Sequence, residues 1–183
     1  MTTTDLFDKE TLDRLLHKFL QELSDSGVRG TVKLVGGAAL SLYYFDRDST
    51  RDIDAGLPSD PRVKKAILKI AEDEGLKENW INSDAILHFG FPPMDFWEER
   101  ERIGDVVLQV ASPKLLLAMK LRASRGRRDF EDIQELLRLT EIKSLGEVDL
   151  LFEEVYAQDA LKPQAHEFLL EYFEEKDSPK LFG

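Results

Sequence analysis

The sequence predicts a mixed α/β (α+β) chain: a small mixed sheet flanked by helices over residues 1–111, then a helical part over residues 112–183. Three observations carry this. Leu12, Leu15, Leu16, Phe19, Leu20 and Leu23 repeat at i, i+3, i+4, i+7, i+8 and i+11, the apolar stripe of one helix face. The short runs TVKLV (31–35) and DVVLQV (105–110) have the length and β-branched content of strands. From Ser112 onward no such run recurs, and apolar residues fall at helical spacing. The boundary near residue 111 is soft, and both parts are expected to share one core.

The elements follow in order. The first helix ends near Gly27, and TVKLV is the first strand. GGAALSLYYF restarts a helix, with small residues where it packs close to its neighbours. RDIDAGL (51–57) is strand-like again. Pro61 suits a first helical position, and VKKAILKIAEDEG makes an amphipathic helix closed by Gly75. DAILHFGF (84–91) alternates like a strand, and FPPMDFWEERERIG (91–104) reads as a connector to DVVLQV. Ser112 and Pro113 cap and open a helix containing LLLAMKL. Another helix starts around Arg128 and runs through Ile133, Leu136 and Leu137. Ser144 and Glu147 have capping-box spacing, and Pro163 opens the last helix.

Composition narrows the chemistry. The 183 residues fit one domain, or one domain with a helical appendage. With no cysteine, disulfides and thiolate metal sites are excluded, and a cytoplasmic location is expected. The three histidines, His17, His88 and His166, are far apart, so any metal is expected to be a hard ion held by carboxylates. The first ten residues lack the basic-then-apolar layout of a signal peptide. No apolar run reaches the roughly 18–20 residues that span a bilayer, so no membrane partner is expected. A formal charge of −11 argues against non-specific coating of nucleic acid. The charge is uneven, however. Residues 141–183 hold eleven acids against four lysines, whereas KLRASRGRR (120–128) holds five cations and no acid.

The stretch KLVGGAALSLYYFDRDSTRDIDAGL (33–57) raises a specific question of chemistry. On an extended strand Asp52 and Asp54 share a face, with Ile53 on the other. Two adjacent carboxylates repel, and aspartate disfavours strands. A divalent cation between them makes the arrangement favourable, because Mg²⁺ takes one or two carboxylates and fills its shell with water and phosphate oxygens. Gly36 and Gly37 end a strand and open a helix, where backbone N–H groups can approach an anion. A phosphate cradle beside an acidic pair suits a nucleoside triphosphate, an NTP, with Mg²⁺ or Mn²⁺. The plainer reading is a solvated edge strand with an Asp-rich turn and glycines used only for backbone freedom.

Strand, Gly-Gly, helix, then Asp-Ile-Asp resembles the signature of the DNA polymerase β-like nucleotidyltransferase superfamily. Here it reads VGG, a gap of fourteen residues, then DIDA. SPKLLLAMKLRASRGRRDFEDIQEL (112–136) resembles the helical part of the AbiEii and MenT-like branch, the toxin-type minimal nucleotidyltransferases. The likeness covers roughly residues 30–140. It implies a nucleotidyltransferase fold, with Asp52, Asp54, Lys120 and Asp129 as catalytic residues and Asp52 and Asp54 as metal ligands. Asp132 is a second candidate for the acid after the basic turn. Gly36 and Gly37 would cradle the β- and γ-phosphates, and Arg125 and Arg128 would meet phosphate through guanidinium forks. Many relatives carry serine where this chain has Gly37. Gln109 stands at the centre of the strand where the superfamily often has a third carboxylate, with Asp95 and Asp105 as nearby acids.

The implied reaction moves an NMP group from the NTP to a hydroxyl acceptor. The toxin-branch likeness points to the 3′ end of tRNA or a protein side chain as acceptor, and to a cognate antitoxin as partner. Two other functions stay open. An aminoglycoside-type nucleotidyltransferase would use the acidic C-terminal segment to draw in a cationic substrate. A non-catalytic nucleotidyltransferase-like scaffold would explain Gln109.

Overall fold

The computed structural model describes residues 6–45, 50–124 and 127–177, with backbone alone at 127–128 and 175–177. These residues form two compact units. The first holds the described residues up to His88 together with Trp97–Ala111; the second holds Phe89–Phe96 and the described residues from Ser112 on.

In the first unit, helix α1 (Lys9–Asp25) starts where the Asp8 carboxylate accepts the Thr11 N–H at 2.8 Å. Its six-residue apolar stripe is wholly buried, each side chain contributing roughly 1.5–3 kcal/mol of transfer free energy. Strand β1 (Gly30–Leu34) follows, then helix α2 (Gly36–Ala39), which runs on as a π-helical turn over Leu40–Tyr44. Strand β2 (Ile53–Gly56) and helix α3 (Pro61–Glu74) come next. α3 is capped by Asp60 and closed by Gly75 in the left-handed region. Strand β3 (Ile81–Asn82), strand β4 (Trp97–Ile103) and strand β5 (Val106–Ala111) complete a five-stranded mixed sheet in the order β3-β2-β1-β5-β4. β1 is parallel to β5 and antiparallel to β2, so the α/β class read from the sequence holds.

Two expected elements differ. Residues 84–88 form a 3₁₀ turn, not a strand. Local turn chemistry wins there: Asn82 Oδ1 accepts the Asp84 N–H at 3.0 Å, and Ser83 O accepts the Ile86 N–H. The stretch 91–104, read as a connector, contains β4. Five of its seven residues are charged, which hides it from hydropathy patterns, yet an edge strand tolerates charge. Ion pairs Arg102–Glu99 (2.7 Å) and Arg100–Glu98 lie along it.

The second unit contains α4 (Pro113–Ala123), α5 (Arg127–Leu139), α6 (Leu145–Val155) and α7 (Pro163–Asp177). Ser112 caps α4, and the Ser144 hydroxyl accepts the Glu147 N–H at 3.3 Å. The return bond of that box goes one residue further out, from the Lys143 N–H to Glu147 Oε2 at 3.0 Å. Among the described residues no helix is long and apolar enough to cross a membrane.

Tyr156 ends α6, and burial pushes its phenol up to about 12, against the opposing pull of Arg122 over its ring. The folded chain therefore favours the neutral phenol. That contribution is complete below pH 10 and is lost as pH rises toward 12. Denaturation midpoints measured from pH 9 to 12 are expected to fall more steeply for the wild type than for Tyr156→Phe. The difference should reach about 2 kcal/mol at the alkaline end.

Candidate active site

The sheet register brings the glycine turn and the acidic strand together. Leu34 of β1 faces Ala55 of β2, so the next antiparallel position sets Val35 against Asp54. The Val35 N–H donates to Asp54 O at 3.0 Å. Immediately beyond, the chain turns at Gly36 with φ +65° and enters α2. A Cβ on Gly36 would stand 2.8 Å from Asp54 Oδ2 and 3.4 Å from Asp54 Cβ. Glycine is needed here twice over, for the left-handed backbone and for the space taken by a carboxylate.

Gly37 meets a different neighbour. A Cβ there would lie 2.8 Å from the Thr50 hydroxyl oxygen. Thr50 is itself held by a two-bond bridge to the buried Phe7: the Phe7 N–H donates to Thr50 O at 2.6 Å and the Thr50 N–H to Phe7 O at 3.0 Å. Ile53 is fully buried, Asp54 is half-buried and Asp52 is exposed. β3 flanks the far side of β2, pairing Asp54 with Asn82. Asp54 therefore does not lie on a solvated edge strand, since β2 is interior to the sheet, whereas Asp52 precedes β2 in an exposed bend.

In the second unit, Lys120 on α4 reaches both candidate acids of α5. Its Nζ stands 3.1 Å from Asp129 Oδ1 and 2.8 Å from Asp132 Oδ2. Asp129 and Asp132 are three residues apart, hence on one face of the helix. All three side chains are largely withdrawn from water, at 21, 13 and 11% exposure. Arg125 lies outside the described residues, and Arg128 is described by its backbone alone, within α5.

A family model described as a nucleotidyltransferase of unknown function (DUF6036) matches residues 10–180. The chain belongs to this family. No curated protein and no solved structure matches it. Membership implies an NTP as substrate, and it places the nucleotidyltransferase among the transferases.

The nucleotidyltransferase offers the acidic pair only oxygen donors. Among the described residues no group of three His, Cys, Asp or Glu is placed to share one ion. Asp52 and Asp54 carry carboxylate oxygens, the donor type that a hard cation takes one or two of before completing its shell with water and phosphate oxygens. A third carboxylate is not supplied by β5. Gln109 sits mid-ladder there, between Lys33 of β1 and Glu99 of β4. Asp105 lies at the other end of β1: its carbonyl accepts the Gly30 N–H at 3.1 Å and its carboxylate pairs with Arg29 at 3.1 Å. Five strand residues, about 16 Å, separate it from the diglycine turn. Asp95 falls in a 3₁₀ turn of the second unit, Met94–Phe96.

Sequence reasoning missed Thr50. Its place beside Gly37 comes from the isolated bridge to Phe7 and the bend at 51–52, which local spacing does not announce.

Proposed function

We propose that this nucleotidyltransferase moves an NMP group from an NTP bound with Mg²⁺ or Mn²⁺ to a hydroxyl acceptor. The acceptor oxygen bonds to the α-phosphorus, the α–β phosphoanhydride bond breaks, pyrophosphate leaves and the acceptor's proton passes to solvent. The observation that carries this reading is the Asp54 carboxylate lying against Gly36, which sets an acidic group beside the diglycine turn. Asp52 and Asp54 are the residues that would hold the cation. Bound there, it would neutralise triphosphate charge and stabilise the leaving pyrophosphate.

The chain's own groups do the rest. The Gly36 and Gly37 amides point donors at the β- and γ-phosphates, and their missing side chains let the phosphates approach the backbone. The backbone of Asp54 is held by β1 on one side and β3 on the other, which anchors the point from which its carboxylate reaches the turn. In the second unit, the resemblance assigns Lys120 to phosphate contact, oriented by Asp129, with Arg125 and Arg128 also meeting phosphate. It likewise makes the 3′ end of tRNA or a protein hydroxyl the acceptor, and a cognate antitoxin the partner.

Pyrophosphate release from an NTP with Mg²⁺ tests the reading, with tRNA or an aminoglycoside supplied as acceptor. Asp54→Asn is expected to lower the rate by about 10²-fold or more, because a neutral amide is a poor ligand for a hard dication. Wild-type binding and turnover in Asp54→Asn would remove the site assignment. Gln109 favours one second reading, a nucleotide-binding scaffold without turnover. In that case Mg·NTP binds in an Asp54-dependent way and no pyrophosphate appears with any acceptor.

A further inference from the structure

We infer that Thr50 is a phosphate-binding side chain, its hydroxyl donating to a phosphoryl oxygen of the NTP held over Gly36-Gly37. This rests on the nucleotide reading above and adds to it a side-chain hydroxyl at the turn.

The two glycines leave room for two different side chains of one segment. Asp54 fills the space beside Gly36, and the Thr50 hydroxyl fills the space beside Gly37. Thr50 adds a side-chain donor to the backbone N–H groups of the turn. The bridge to Phe7 uses the Thr50 backbone on both sides, so the pairing itself is indifferent to the side chain. What the bridge does is fix where the hydroxyl sits.

At present that hydroxyl donates to Asp52 O at 3.3 Å, well beyond the 2.7–2.8 Å usual for O–H···O. A long neutral bond is readily exchanged for a shorter, charge-assisted one to a phosphate oxygen. The exchange also frees the Asp52 carbonyl. A packing role would need only the bulk of the residue, and valine supplies the same shape without the hydroxyl.

The test is calorimetric binding of Mg·ATP and Mg·GTP to the full chain, with thermal melts to verify folding. Thr50→Val is expected to weaken binding by about 10-fold or more, the loss of one hydrogen bond to a charged group. Thr50→Ser, which keeps the hydroxyl, should stay within about 2-fold of wild type. A second variant moves the hydroxyl across the turn: Gly37→Ser combined with Thr50→Ala. Gly37 has no positive φ, and the substitution at 50 removes the 2.8 Å contact, so serine fits there. This double variant should bind more tightly than Thr50→Ala alone.

Equal binding by Thr50→Val and wild type overturns the inference, as does an equal loss in Thr50→Val and Thr50→Ser. A double variant no better than Thr50→Ala overturns the placement of the hydroxyl beside residue 37. Asp54→Asn is measured in parallel. If it binds as wild type while Thr50→Val is weak, the metal assignment fails and Thr50 stands; if Asp54→Asn is weak while Thr50→Val is normal, only the Thr50 inference fails.

Discussion

Replacing Gly36 by alanine is expected to cut nucleotidyl transfer by about 10²-fold or more, with a stability loss of only about 1–2 kcal/mol. The stability part comes from the backbone. At φ +65° an alanine Cβ is crowded against the following carbonyl, a cost of roughly 1–2 kcal/mol. The activity part comes from what that Cβ meets, since it would stand 2.8 Å from Asp54 Oδ2. Something must shift, and the carboxylate is the softer party, because β2 is held by β1 and β3. A displacement near 1 Å at a positioned group costs about 10²-fold. Gly75→Ala separates the two effects. Gly75 has the same φ of +65° and nothing within 4 Å of its missing side chain. It should lose comparable stability, read by denaturation, and keep full activity, read by pyrophosphate release. If Gly36→Ala retains wild-type turnover, Asp54 has no positioned role at the turn.

The parts of this site legible in the sequence are those written in local spacing. Val-Gly-Gly after an apolar run, and two aspartates flanking an isoleucine, each follow from short-range rules of turns and strand alternation. The capping serines at 112 and 144 and the closing Gly75 were legible for the same reason. Pairing is what spacing does not contain. Nothing local says that Val35 will face Asp54, or that Thr50 will be bridged by Phe7 from across forty residues of chain. Those contacts arise from the register of β1 on β2 and from a bridge outside any strand.

β4 was hidden by a related cause. A charged edge strand keeps its hydrogen bonds but carries no apolar alternation, so WEERERI looks like a loop until β5 is placed beside it. The 84–88 segment fails in the opposite direction. Its alternation is genuine, yet none of its five residues is buried, and an Asn-Ser-Asp turn offers the backbone better partners than a neighbouring strand does. Periodicity reports burial only when tertiary structure provides something to be buried against.

Lys120→Met is expected to destabilise the fold by about 3–5 kcal/mol, the largest stability effect of any substitution considered. Met keeps the length and apolar bulk of the lysine, so the volume filled on α4 changes little. What goes is an ammonium within 3.1 Å of Asp129 and 2.8 Å of Asp132. Removing the ammonium takes away a cation shared by two poorly solvated carboxylates, which then repel each other more strongly across one helix face. Equilibrium denaturation of wild type and variant measures the loss. The compensated variant Lys120→Met/Asp129→Asn/Asp132→Asn should recover a large part of it, since the pair's net worth is much smaller than the cost of breaking it. A more exposed cation gives the contrast: Lys69–Glu22 is 2.5 Å apart with the lysine side chain 56% exposed, and Lys69→Met should leave the denaturation midpoint close to wild type. If Lys120→Met is as mild as Lys69→Met, the ammonium is not what holds α4 to α5, and its withdrawal from water serves no folding purpose. A folded, stable Lys120→Met that has lost NTP affinity would then assign the lysine to substrate phosphate alone.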